Sequence, residues 1–273
     1  MLALIFCLVL QDEIVKESDH ELSPDAVVTV RSVVGRVRLL GTDKNTAHVR
    51  TVKRGRDREA VEIKVEADKE KLTIEAKFPN RRETEVEIEI DVDIPRTAKR
   101  IAADIVSGLI EVKDARGDAT LSTVSGDIRL DGLQGDLSAV TISGNVRIAG
   151  LKSTKATFTL TSGSLEGSAE TGSLEATSVS GGVSLDVTPK GDAWTARASS
   201  ISGNLLLRFP PKSGAGIDLK SLSGDLRSDF DLKDAKRTGR HEIDRSLLGT
   251  FGGGGGTVTA KTISGNVRIG PIK

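Results

Sequence analysis

The sequence predicts an all-β chain built as a β-solenoid, a β-helix-like stack of coils of about 18 residues with two short strands each, preceded by β-hairpins. Three observations carry that expectation. The octapeptide TISGNVRI is written twice, at residues 141–148 and 262–269, and degenerate copies such as VSGLIEV, VSGDIRL, VSGGVSL, ISGNLLL and LSGDLRS lie around it. The glycines of this phrase are Gly108, Gly126, Gly144, Gly163, Gly181, Gly203, Gly224 and Gly265, and their first steps are 18, 18, 19 and 18 residues. Gly117, Gly135 and Gly172 halve that interval. The underlying unit of about nine residues fits one strand and one tight turn and is too short for a helix.

Taken in chain order, residues 1–12 hold the apolar run LALIFCLVL. It is too short to span a bilayer but has the length of a secretory leader's apolar region, so export is the first reading. A buried first strand competes, because no Lys or Arg precedes the run and no small-x-small site follows it. Cys7 is the only cysteine, which removes an intramolecular disulfide framework and a cysteine-based zinc cluster. Phe6 is bulky where a lipoprotein signal carries a small residue. From residue 20 to 95 strongly alternating stretches, such as ETEVEIEIDVDIP, read as hairpins with charged outer faces, ended by Pro95.

The repeat occupies residues 96–273, and with the hairpins it is expected to form one elongated domain over 20–273. In SGDIRL, Ile128 and Leu130 share a face while Arg129 points away. Stacked in register, every Ile and Val of the phrase lies over its counterpart about 4.8 Å away, and the core grows as columns of like residues. An antiparallel meander is the alternative. The stretch from residue 228 to 256 interrupts the ruler as a long hairpin or loop, with Gly252 to Gly256 as a flexible return. The 41-residue step from Gly224 to Gly265 is read as about two coils. Trp194 is expected to fill a widened rung. The last rung stops close to Lys273 and is expected to leave an exposed strand edge, a candidate for self-association.

Lys plus Arg and Asp plus Glu both number 39, for a formal charge of +0. No global field attracts nucleic acid or an anionic membrane. Aromatic residues make up 3 %, with one Trp and no Tyr, so stacking platforms for sugars are scarce. His20, His48 and His241 stand apart from one another, and no zinc motif, nucleophile elbow or phosphate loop is present. No cofactor is implied. Asp127, Asp136 and Asp225 follow corner glycines, but Asn145, Asn204 and Asn266 take the same place. That exchange destroys an acid or base yet preserves a turn partner, so a polysaccharide-cleaving site is the least supported reading. Arg129, Arg147, Arg227 and Arg268 share the position three residues past the glycine. They form either a solvated face or a strip that binds anionic groups of acidic envelope polymers. The basic stretch RTVKRGRDR, residues 50–58, reads as a hairpin tip.

The VSGDIRL-type repeats, the VDIP step before them and the glycine-rich return GTFGGGGGTVTAKTISGNVRIG resemble the DUF4097 family of bacterial β-strand-repeat envelope proteins, named adhesins by analogy. The resemblance covers residues 27–273. It implies an extracytoplasmic, β-solenoid-like domain with no catalytic residues to carry over. The function expected is a non-enzymatic adhesin or scaffold, exported to the periplasm or cell surface, with an envelope polymer or envelope protein as partner. The alternative is a regulatory, partner-binding module of an envelope-stress system.

Overall fold

The computed structural model describes residues 6–10, 13–79, 84–238 and 245–272. Every regular element among them is a strand. They fall into two units, one up to Gly135 and one from Asp136 onward.

The first unit contains β1 (Phe6–Leu10), β2 (Glu13–Glu21), β3 (Val27–Thr42), β4 (Thr46–Arg54) and β5 (Glu62–Ala67). It continues with β6 (Lys71–Lys77), β7 (Glu87–Pro95), β8 (Arg100–Lys113) and β9 (Asp118–Asp131). The expected hairpins are present as β1–β2 and β5–β6. Phe6–Leu10, the later part of the N-terminal apolar run, thus form β1, antiparallel to β2. β3, by contrast, belongs to no hairpin. Its first half pairs in parallel with β6, its second half with β7, and its whole length with β8. The solenoid therefore already exists at residue 27.

Each long strand turns a corner partway along. In β8 the buried positions are Ile101, Ala103 and Ile105, then Ile110 and Val112. The parity changes across residues 106–109, so the chain has rolled onto a second sheet. Gly108 sits at that corner with φ +134°, opposite Gly35 of β3 and Gly126 of β9. A second row, Ala98, Gly117 and Gly135, marks the other corner, where a Cβ on Gly117 would lie 1.9 Å from the carbonyl oxygen of Ala98. Two corners per coil account for the nine-residue ruler.

The second unit contains β10 (Leu137–Ser143), β11 (Val146–Ser162), β12 (Leu165–Ser180), β13 (Val183–Pro189), β14 (Thr195–Ser202) and β15 (Leu205–Phe209). It ends with β16 (Ala215–Ser223), β17 (Leu226–Ser228), β18 (Lys233–Thr238), β19 (Arg245–Phe251), β20 (Gly256–Ser264) and β21 (Val267–Pro271). One parallel sheet runs β10, the later part of β11, the later part of β12, β14, β20 and β16. The other runs from the start of β11 through the start of β12 to β13, β15, β21 and β17. The core grows in columns: Ala139, Phe158, Ala176, Ala198, Ala260 and Leu219 lie in successive register and are all buried. Phe158 fits because alanines flank it above and below.

Three expectations change here. The final coil, β20–β21, is not terminal: β21 pairs with β15 on one side and β17 on the other. The exposed edge on which self-association was expected is therefore absent, although Lys273 itself lies outside the described residues. The 41-residue step holds no two coils. It holds the antiparallel hairpin β18–β19, laid against β16 as a cap. Gly256, read as part of a flexible return, is buried at the start of β20, where a Cβ would stand 2.1 Å from the Trp194 ring. Trp194 does pack inside, 5.2 Å from Phe209, which leads on to Phe251 and a stacked Phe230.

Candidate interaction surfaces

The corner phrase is a hydroxyl residue, an aliphatic residue, Ser and Gly. The structure places its hydroxyl inside. Ser32, Thr123, Thr141, Ser178, Ser200, Ser221 and Thr262 are buried. Ser221 Oγ donates to the carbonyl of Gly265 at 3.0 Å, and Thr262 Oγ1 donates to that of Gly203 at 3.3 Å, both on a neighbouring rung. A tight corner leaves carbonyls without a ladder partner, and at these two corners a buried hydroxyl supplies one, whereas the buried hydroxyls of Thr123, Ser178 and Ser200 have no hydrogen-bond partner. Strand alternation then forces the next residue outward. The expectation that every Ile and Val of the phrase enters the core is corrected accordingly. Val33, Val106 and Val124 in the first unit, and Ile142, Val179, Ile201, Ile263 and Leu222 in the second, stand 41 to 50 % exposed. They stack as expected, but on the solvent side.

The Asp and Asn residues after the glycine also act between rungs. Asn145 Oδ1 accepts the backbone N–H of Ser164 at 3.0 Å, Asn204 Oδ1 that of Asn266 at 2.8 Å, and Asn266 Oδ1 that of Asp225 at 2.8 Å. Asp136 Oδ1 accepts from the amides of Thr154 and Lys155. At Asn145, Asn204, Asn266 and Asp136 the side chain thus staples the adjacent rung, a task that needs an acceptor and no proton transfer.

All four arginines of the candidate strip are exposed, but they do not form one ladder. Arg129 belongs to the first unit, opposite Glu111. Arg147 pairs in register with Glu166, and Ser184 and Leu206 follow before Arg268. Arg268 and Arg227 are brought together as direct partners. The Asp229 carboxylate bridges them, 2.7 Å from Arg268 and 3.4 Å from Arg227.

In the basic stretch, Arg50 and Arg54 lie within β4, not at a tip. Arg54 donates to Glu13 at 2.9 Å and Glu89 at 3.0 Å, which ties β2, β4 and β7 and raises its already high pKa. Arg50 lies 3.3 Å from Glu17 and 3.6 Å from Asp91. These charges are spent on holding the sheet's outer face together.

Among the described residues no three His, Cys, Asp or Glu side chains gather to hold a metal ion. His48 Nδ1 lies 2.8 Å from Asp19, and His20 Nε2 lies 2.9 Å from the Ser18 hydroxyl. Burial holds the His20 pKa below its ordinary value, with Asp19 opposing. His241 lies outside the described residues. Asp136 and Asp225 sit in the first and last coils of the second unit and so form no acid pair with each other, and Asp127 lies in the first unit. A cleft of about 520 Å³ under the β18–β19 cap is lined by Asp225, Leu226, Arg237, Thr238, Arg245 and Ser246. Its guanidinium groups already donate to the carbonyls of Leu226 and Gly224, closing the end of the stack. Among the described residues no helix is long and apolar enough to cross a membrane.

The profile of the Toastrack DUF4097 family matches residues 28–270. Among curated proteins none matches the chain. A crystal structure of a "putative adhesin" from Bacteroides fragilis is similar at 13 % identity and a TM-score of 0.49, covering 93 % of this chain and 96 % of that one. A "putative lipid binding protein" from Parabacteroides distasonis is similar at 12 % identity and a TM-score of 0.42, covering 95 % and 97 %. A "putative cell adhesion protein" from Clostridium sporogenes gives 13 % identity and a TM-score of 0.28, covering 94 % and 100 %.

Proposed function

We propose, for a chain that belongs to the Toastrack DUF4097 family, a non-enzymatic role in the cell envelope: an exported scaffold that holds a partner through many weak, evenly spaced contacts. The observation that supports this is the register. Outward residues of the second unit recur at one strand spacing, as in the row Ser138, Thr157, Glu175, Arg197, Thr259 and Asp218. Hydroxyl and charged groups presented every 4.8 Å or so suit a polymer or an extended protein better than a small substrate. The Arg227–Arg268 pair is a place on the arginine strip where an anionic polymer gains two adjacent forks, in competition with Asp229.

The test is retention of an isolated envelope fraction, and in parallel of dextran sulfate, on beads carrying the full chain at graded density. A multivalent scaffold retains material steeply with density. R227Q/R268Q lowers retention of dextran sulfate at low salt. No retention at any density, or release of new reducing ends from the bound polymer, overturns the proposal.

A further inference from the structure

Among the described residues, eight of the ten large apolar side chains that stand most exposed occupy a single position of the repeat, two residues before the corner glycine. In the second unit this position reads Ile142, Thr161, Val179, Ile201, Ile263 and Leu222 from rung to rung, because the serines that follow are in continuous register. The hydroxyl–aliphatic order explains why the corner turns but not why the outward residue is aliphatic. Thr161 shows that a polar residue serves there, with Leu160 taking the buried place instead. Keeping five aliphatic residues in water along one line is the mark of a covered surface.

We propose that this ridge is the face through which two copies of the chain associate. Six rungs at about 4.8 Å make a ridge about 24 Å long. Its teeth match only a surface with the same spacing, and a second copy has that spacing. The flanks are compatible with close approach. One side carries the exposed serines Ser143, Ser162, Ser180, Ser202, Ser264 and Ser223, and the other carries Val140, Thr159, Thr177 and Ser199 before Lys261 and Lys220. No like charges oppose each other over most of the length. A lipid surface fits less well: interfacial anchors are aromatic and basic, while Trp194 is buried, Tyr is absent and the formal charge is +0. With one flanking column on each side the face is about 15 Å wide, or about 350 Å² per copy, under half of the roughly 800 Å² per partner of a standard interface. Association is therefore weak and concentration-dependent. Ridge against ridge, with the copies antiparallel, it is isologous and closes at a dimer. This inference stands apart from the proposed polymer binding, which uses the outer sheet faces.

Sedimentation velocity of the full chain over a wide concentration series tests it. The wild type is expected to move from monomer to dimer. I201K/I263K is expected to weaken association at least tenfold with an unchanged circular dichroism spectrum. T161I, which fills the gap in the ridge, is expected to strengthen it severalfold and guards against a lysine variant that merely misfolds. A wild type that stays monomeric throughout, or an I201K/I263K protein that dimerises like the wild type, overturns the proposal. So does a monomeric wild type whose ridge residues are needed to co-sediment with phosphatidylcholine or phosphatidylglycerol vesicles.

Discussion

Replacing Gly181 by Ala tests the stacking directly. Gly181 has φ +146°, a region that residues with a Cβ occupy at a cost of about 1–3 kcal/mol. The added Cβ would lie 1.8 Å from the carbonyl oxygen of Gly163 on the rung before, whereas C···O contacts relax near 3.3 Å. The rungs must therefore part by about 1.5 Å at this corner. Parting strains the bonds on either side, Gly163 N to Ser180 O at 3.1 Å and Gly181 N to Ser202 O at 3.0 Å, each worth about 0.5–1.5 kcal/mol net. The sum is about 4 kcal/mol. With an m-value near 3 kcal/mol/M, the urea midpoint falls by about 1.3 M. The assay is urea unfolding followed by the emission of Trp194, the only tryptophan and a buried one. Gly216 is the control, since no atom lies within 4 Å of its would-be Cβ, and G216A should shift stability by no more than about 0.5 kcal/mol. Equal midpoints for G181A and G216A refute the stacked corner.

Other outcomes follow from the same geometry. Asn204→Ala strips the acceptor from the amide of Asn266 and should cost about 1 kcal/mol, as loss of a helix cap does, while Asn204→Asp keeps the acceptor and should stay near wild type in the same urea assay. Folding lowers the His20 pKa, so the unfolded chain binds more protons. Stability should therefore fall as pH drops through the ordinary value of 6.5 and level off once the folded group also titrates; in pH-resolved melts His20→Gln should flatten that slope. Deleting residues 256–273 removes an interior rung, so Trp194 should emit to the red in native buffer, having lost the main chain of Gly256 that lies over its ring.

The parallel stack, its coil length and its corner glycines were legible because glycine spacing and alternation are set by the backbone itself. The side each residue faces was legible only where the pattern is unambiguous, as in Ile128 and Leu130. At Thr123–Val124 it was not. Both side chains are β-branched and nearly equal in shape, so alternation fits either phase, and no hydrogen bond decides between them, since the Thr123 hydroxyl is buried without a partner. Gly35 escaped the repeat count because Val34 stands where the phrase has Ser, although Arg36–Leu39 continues it as SGDIRL does. The arginine strip could not be read as ladder or pairs, since strand order decides which residues become neighbours. Like rungs are interchangeable, so chain order does not fix that order.

The interior place of the last coil explains why the octapeptide returns unchanged at residues 262–269. A terminal rung answers to one neighbour, whereas this one must fit two at once. Toward β14 and β15 it uses Thr262 Oγ1 on the carbonyl of Gly203 and the Asn266 amide on Asn204 Oδ1. Toward β16 and β17 it offers the Gly265 carbonyl to Ser221, Asn266 Oδ1 to the Asp225 amide, and Arg268 to Asp229. Val267 and Ile269 meanwhile bury themselves under Leu205 and Leu207. Hydroxyl and glycine thus serve opposite sides, and Asn266 serves both. A sequence close to the middle of the repeat's variation is the one that meets unlike neighbours, ISGNLLL and LSGDLRS, without strain on either side.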